Sequence, residues 1–155
     1  MNPLQVHLIA LLHELAHGPE LGIDYGHFSE PEAGLLPTLD TLEAAQTAVP
    51  VAPDRPPLAA FVAHLSQLLT FTAGQLNGSV EFPDFAAPWQ IKAVGEAEWS
   101  ALRHELRETF ILMQSAIQRR ELEPEELNVA QSALTHLAYH AGALRFHIQN
   151  LRSQR

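Results

Sequence analysis

Nine histidines stand in a chain of 155 residues, and imidazole is the side chain best suited to proton transfer and metal ligation near neutral pH. His136 and His140 are four apart in a segment that reads as helix. At ~100° per residue they lie ~40° apart on one face, one turn from each other. Both rings can therefore point a nitrogen at one ion. Ala133, Ala143 and Leu144 share their stripe, so the pair is expected to face other helices rather than water. Two desolvated imidazoles need partners. A bound metal and a hydrogen-bonded core arrangement both meet that need, and the spacing leaves the two open. His64 lies on a different predicted helix, between Phe61 and Leu68 on its apolar side. Alone it reads as a core histidine. Beside the pair it would be a third nitrogen, leaving the open position that a catalytic site uses. His147 follows His140 on the same line, ~10 Å further along the axis. That is too far for ligands that sit ~2 Å from an ion, so it reads as structural.

A second histidine pattern is His13-Glu14-Leu15-Ala16-His17, a literal H-E-x-x-H. Its context argues against a zincin protease. Gly18-Pro19 ends the helix directly after the second histidine, and no metzincin extension follows. A histidine in a last helical turn also has a plain reason to be there, since it favours the dipole. The metalloprotease stays as a remote alternative. His7, His27 and His104 read as surface or loop residues. There is no Gly-rich phosphate loop, no G-x-S-x-G and no basic-aromatic patch. Di-iron bundles need Glu-x-x-His on two helices, and Glu14 with His17 is one such pair without a mate.

Composition narrows the field further. Cys is zero, which excludes a disulfide scaffold, a thiolate nucleophile and a Cys-ligated zinc or iron–sulfur site. Lys+Arg total 9 against Asp+Glu 18, a net charge of −9, so no large field for nucleic acid is expected. No apolar run approaches the ~18 residues of a membrane span. The N-terminus lacks a basic n-region and carries Glu14 and three histidines, unlike a signal peptide. The expectation is one soluble cytoplasmic domain over 1–155, with no nucleic-acid or membrane partner.

The elements that must position these residues are helices. Pro3 suits a first turn, and Leu4, Leu8, Leu11 and Leu15 recur at helical spacing. Residues 18–34 read as loop, 36–48 as a short helix, and 49–57 as a Pro-extended connector. A helix is predicted over about 57–77, capped by Asn77-Gly78, and then a long loop over 79–94. Trp99, Leu102, Leu106, Phe110, Met113 and Ile117 form a regular stripe on a long helix entered at Gly95-Glu96. Pro124 opens the last helix, which runs to about 152. No segment alternates like a strand. The fold is expected to be all-α, with four long helices and one short one burying their stripes on each other as a bundle.

Several segments carry a resemblance. THLAYHAGALR (135–145) is similar to the H-x-x-Y-H-x-G-x-[IL]-R signature of the DinB/YfiT-like superfamily of bacterial metal-binding four-helix bundles. LAAFVAHL (58–65) resembles that family's second core helix, and PWQIKAVGEAEWSALRHEL (88–106) the entry to its third. GLLPTLDTL (34–42) resembles the segment after the first helix in one subgroup. The resemblance implies an up-down-down-up bundle with a long crossover, for which 79–94 would serve, and commonly a homodimer. It implies His64, His136 and His140 as the ligands of one divalent metal, zinc or nickel foremost and iron as a further option. It departs at Phe146-His147, where many members have Gln after the Arg.

The activity implied is that of a metal-dependent enzyme acting on a small-molecule substrate, either a thiol-dependent S-transferase or a hydrolase. With no Cys of its own, the chain would need a low-molecular-weight thiol as cofactor for the former. The loops 18–34 and 79–94 would shape the mouth, and Asp40, Glu43 and Glu14 are candidates to orient the ligands. The alternative is a non-catalytic, metal- or ligand-binding stress-response bundle.

Overall fold

A computed structural model describes residues 1–20, 26–27 and 34–153. Among them there are helices and no strands, with one isolated bridge between Pro50 and Pro57. The all-α expectation holds. None of these helices is long and apolar enough to cross a membrane.

Helix α1 spans Pro3–His17. Asn2 starts it with a reciprocal capping box: its Oδ1 accepts from the Gln5 amide at 3.0 Å, and Gln5 Oε1 accepts from the Asn2 amide at 3.3 Å. Gly18, at φ 92°, ends it, a left-handed turn that favours glycine. Leu8, Leu12 and Leu15 face the core.

The short helix predicted over 36–48 is two helices, α2 (Leu35–Asp40) and α3 (Ala44–Thr47). The break has a cause. The Leu42 carbonyl accepts the Trp99 indole N–H at 2.9 Å, and Glu96 accepts the Ala44 amide at 2.8 Å, opening a new helix start. Both partners lie on α5, so the third long helix pins the short segment in two places.

Helix α4 spans Leu58–Leu76, α5 Glu96–Gln118 and α6 Pro124–Ser153. Trp99, Leu106, Phe110, Met113 and Ile117 of the predicted α5 stripe are buried, while Leu102 is only partly so. α4 packs on both α5 and α6, and α1 packs on the same two helices from the other side. One core of Leu, Ala and aromatic side chains joins all four. Burial of each such side chain contributes about 1.5–3 kcal/mol.

The 79–94 segment is not a free loop. It contains a 3-10 turn, Ala87–Gln90, that packs on α4. Gln67 donates its Nε2 to the Asp84 carbonyl at 2.8 Å, and Phe71 on α4 holds Phe82 and Phe85 with ring centroids 5.3 Å away. Most of the predicted 18–34 loop lies outside the described residues.

Candidate metal centre

Helices α4 and α6 cross so that His64 meets His136 and His140. The Nε2 atoms of His64 and His136 are 3.3 Å apart, and those of His136 and His140 2.8 Å. One ring nitrogen from each of the three lies within 4.8 Å of the others. Ligands ~2 Å from a tetrahedral ion stand about 3.3 Å apart, so small ring rotations would make three ligating distances of this set. Among the described residues, no other group of three His or carboxylate side chains converges this way. The three histidines singled out by spacing and resemblance are thus brought together.

Hydrogen bonding alone serves this cluster poorly. His136 Nε2 has either one lone pair or one N–H and would have to share it between two neighbours at once. A shared cation would give each ring its own bond. Two of the rings, His64 and His140, are also held in the neutral, ligating form. Burial and then the neighbouring His136 push His64 below the ordinary histidine value. Burial, His136 and His64 push His140 down to about 4.

One expectation needs correction. The pair on α6 does not face the core. His136 is exposed, and His140 and His64 are half-buried. The buried line of α6 runs through Ala133, Leu137, Ala141 and Leu144, and the histidines stand at its edge. The cluster is therefore at the rim of the helix packing, reachable from solvent. That position leaves an open coordination side without a channel.

The surroundings are aromatic. The Trp89 ring lies 4.6 Å from His64 and 5.2 Å from Phe61. Phe61 is 5.4 Å and Tyr139 5.2 Å from His140. These residues were not identified as part of a site from the sequence. Trp89 comes from the 3-10 turn, and the only local signal was the Pro88-Trp89 dipeptide in a segment read as loop. The Nδ1 atoms of His64 and His140 are buried without a partner. The carboxylates nominated to orient the ligands are engaged elsewhere. Asp40 pairs with Arg103 and Arg107, and Glu43 takes part in the α3 cap. Glu14 accepts the His27 amide at 2.9 Å.

The H-E-x-x-H segment is split by its own helix. His13 and His17 are exposed with ring centroids 4.9 Å apart, while Glu14 is 6% exposed and turned inward. His147 is 8% exposed, bonded to the Val49 backbone, and pushed down chiefly by burial. It is structural, as its distance along α6 predicts. His7 and His104 are exposed, and so is His27. Compared with known proteins, the chain matches no family model, no curated sequence and no solved structure.

Proposed function

We propose that the protein is a DinB/YfiT-like four-helix bundle that binds one divalent metal, zinc or nickel foremost and iron as a further option, through His64, His136 and His140, and that it acts on a small molecule there. The observation that carries the reading is the convergence of three imidazole nitrogens from two helices within 4.8 Å. The mutual packing of α1, α4, α5 and α6 supports the bundle, with 79–94 as the crossover and α2 and α3 as additions to it. A cytoplasmic homodimer completes the reading.

A divalent ion in this position would supply Lewis acidity, lowering the pKa of a water or of an exogenous thiol. The chain's own residues do the rest. Burial keeps His64 and His140 neutral, so their lone pairs stay free at neutral pH. Trp89, Phe61 and Tyr139 narrow the approach and fix the rings they touch. Exposure of His136 gives a substrate its way in. The chain has no Cys, so an S-transferase would bring its thiol as a small cofactor, and a hydrolase would use water. The second reading is a non-catalytic metal-binding bundle. The same convergence of three nitrogens would serve it without any turnover.

Metal content after mild chelation and reloading tests the proposal. About one equivalent per chain is expected in the wild type and in His13→Ala, and none in His64→Ala or His136→Ala. Metal lost from His13→Ala instead would move the site to the H-E-x-x-H segment. No metal in any of the proteins would overturn the reading. With the triad established, turnover that disappears in His136→Ala while the fold survives separates the enzyme from the binding bundle.

A further inference from the structure

A groove of about 660 Å³ runs between α4, α5 and the 79–94 segment, apart from the histidine rim. Its volume falls in the range of small-molecule sites, roughly 300–1,000 Å³, and it is open to solvent along its length. Its apolar walls are Phe71 and Ala63 on α4, Leu102 on α5, and Phe82, Pro88 and Ile91 on the crossing segment. Phe82 is 74% exposed, a large side chain left at the groove's edge with the Phe71 ring beside it.

Charge decides what would fit. Glu81 and Glu105 line the groove, and no Lys, Arg or His does. Neither carboxylate makes an ion pair among the described residues. Gln67 also lines the groove, with its Nε2 held by the Asp84 carbonyl. The charged groups of the groove are therefore both negative, beside phenyl faces that attract cations.

Gly74 supplies an independent sign. It lies in the last turn of α4 and lines the groove. A Cβ there would meet only Ser79, with its Cβ 3.5 Å away and its Oγ 3.9 Å, ordinary contacts. Packing does not call for glycine, and helix propensity disfavours it by up to about 1 kcal/mol against Ala. The missing side chain leaves the groove open.

We propose that this groove binds a small hydrophobic amine, its aromatic or aliphatic body between Phe71, Phe82 and Leu102 and its ammonium beside Glu81 and Glu105. The proposal does not depend on the metal reading. Ala63 and Pro88 are chain neighbours of His64 and Trp89, but neither His64 nor Trp89 lines the groove.

Calorimetric titration of the full chain with naphthylethylamine and with naphthylpropionate, equal in shape and opposite in charge, tests this. The titrations use His136→Ala protein with chelator, so that ligation of a metal cannot contribute. The amine is expected to bind about tenfold more tightly than the acid, with the preference falling as salt rises. Glu81→Gln with Glu105→Gln should erase the preference. Gly74→Leu should abolish binding while circular dichroism shows the helices intact. If that variant does not fold, Phe82→Ala, at an exposed loop position, should weaken the amine severalfold. Equal binding of both ligands, binding of neither, or amine binding untouched by the groove variants would overturn the proposal. Failure of metal loading would leave it standing.

Discussion

A polar side chain with no exposure has to find every partner inside the protein. Gln5 is such a residue, at 0% exposure. Its Nε2 donates to the carbonyls of Ile117 and Arg120, each at 2.8 Å, and its Oε1 accepts the Leu122 amide at 3.3 Å. One side chain from the first turn of α1 thus satisfies the last turn of α5 and the link to α6, groups that a helix end otherwise leaves unpaired. Gln5→Ala is expected to cost about 3 kcal/mol, seen as a melting temperature lower by roughly 10 °C. None of this was legible in the sequence, where Gln5 reads as an ordinary first-turn residue and its partners lie more than a hundred positions away. The His136/His140 pair was legible, because a four-residue spacing fixes a shared helix face before any packing is known, whereas His64 joined it only through the family resemblance. The pair's exposure was not. A face 40° wide can sit at the centre of a buried stripe or at its edge, and only the neighbouring helix decides which.

At the scale of elements, the long helices could be read from their stripes because each buries a line of its own side chains. The α5 spacing is the clearest case, and five of its six stripe residues are buried. The 36–48 segment could not be read as two helices, because its break is imposed from outside by Trp99 and Glu96. Trp99→Phe tests this. It keeps most of the buried ring, removes the N–H and leaves the Leu42 carbonyl unpaired inside the core. A loss of about 2 kcal/mol is expected in denaturant unfolding. Amide exchange should speed up at residues 42–47 more than in α5 itself. Equal exchange in both segments would mean that the bond does not hold the break. The 79–94 segment has the same lesson. It reads as a loop in the sequence, but Gln67 and Phe71 tie it down against α4.

For the molecule as a whole, burial of histidines sets a response to acid. His64, His140 and His147 all lie below the ordinary histidine value, in each case chiefly through burial. The unfolded chain therefore binds more protons than the folded one, and stability rises with pH across that range. Stability is full above the unfolded value near pH 6.5 and falls as the pH drops below it. His147→Phe removes one such group at a site with no part in the proposed metal set. Its unfolding free energy should fall less steeply between neutral pH and pH 5, by at most about 1.4 kcal/mol per pH unit. An unchanged slope would show that His147 takes up its proton alike in the folded and the unfolded chain. The two indoles of the chain divide the molecule between them. Trp99 is sealed in the core with its N–H on Leu42, and Trp89 lies 4.6 Å from His64. A paramagnetic ion at the triad would drain light from one indole and spare the other. Part of the tryptophan emission should fade on loading with nickel and return with chelator, so the protein carries its own optical gauge of occupancy.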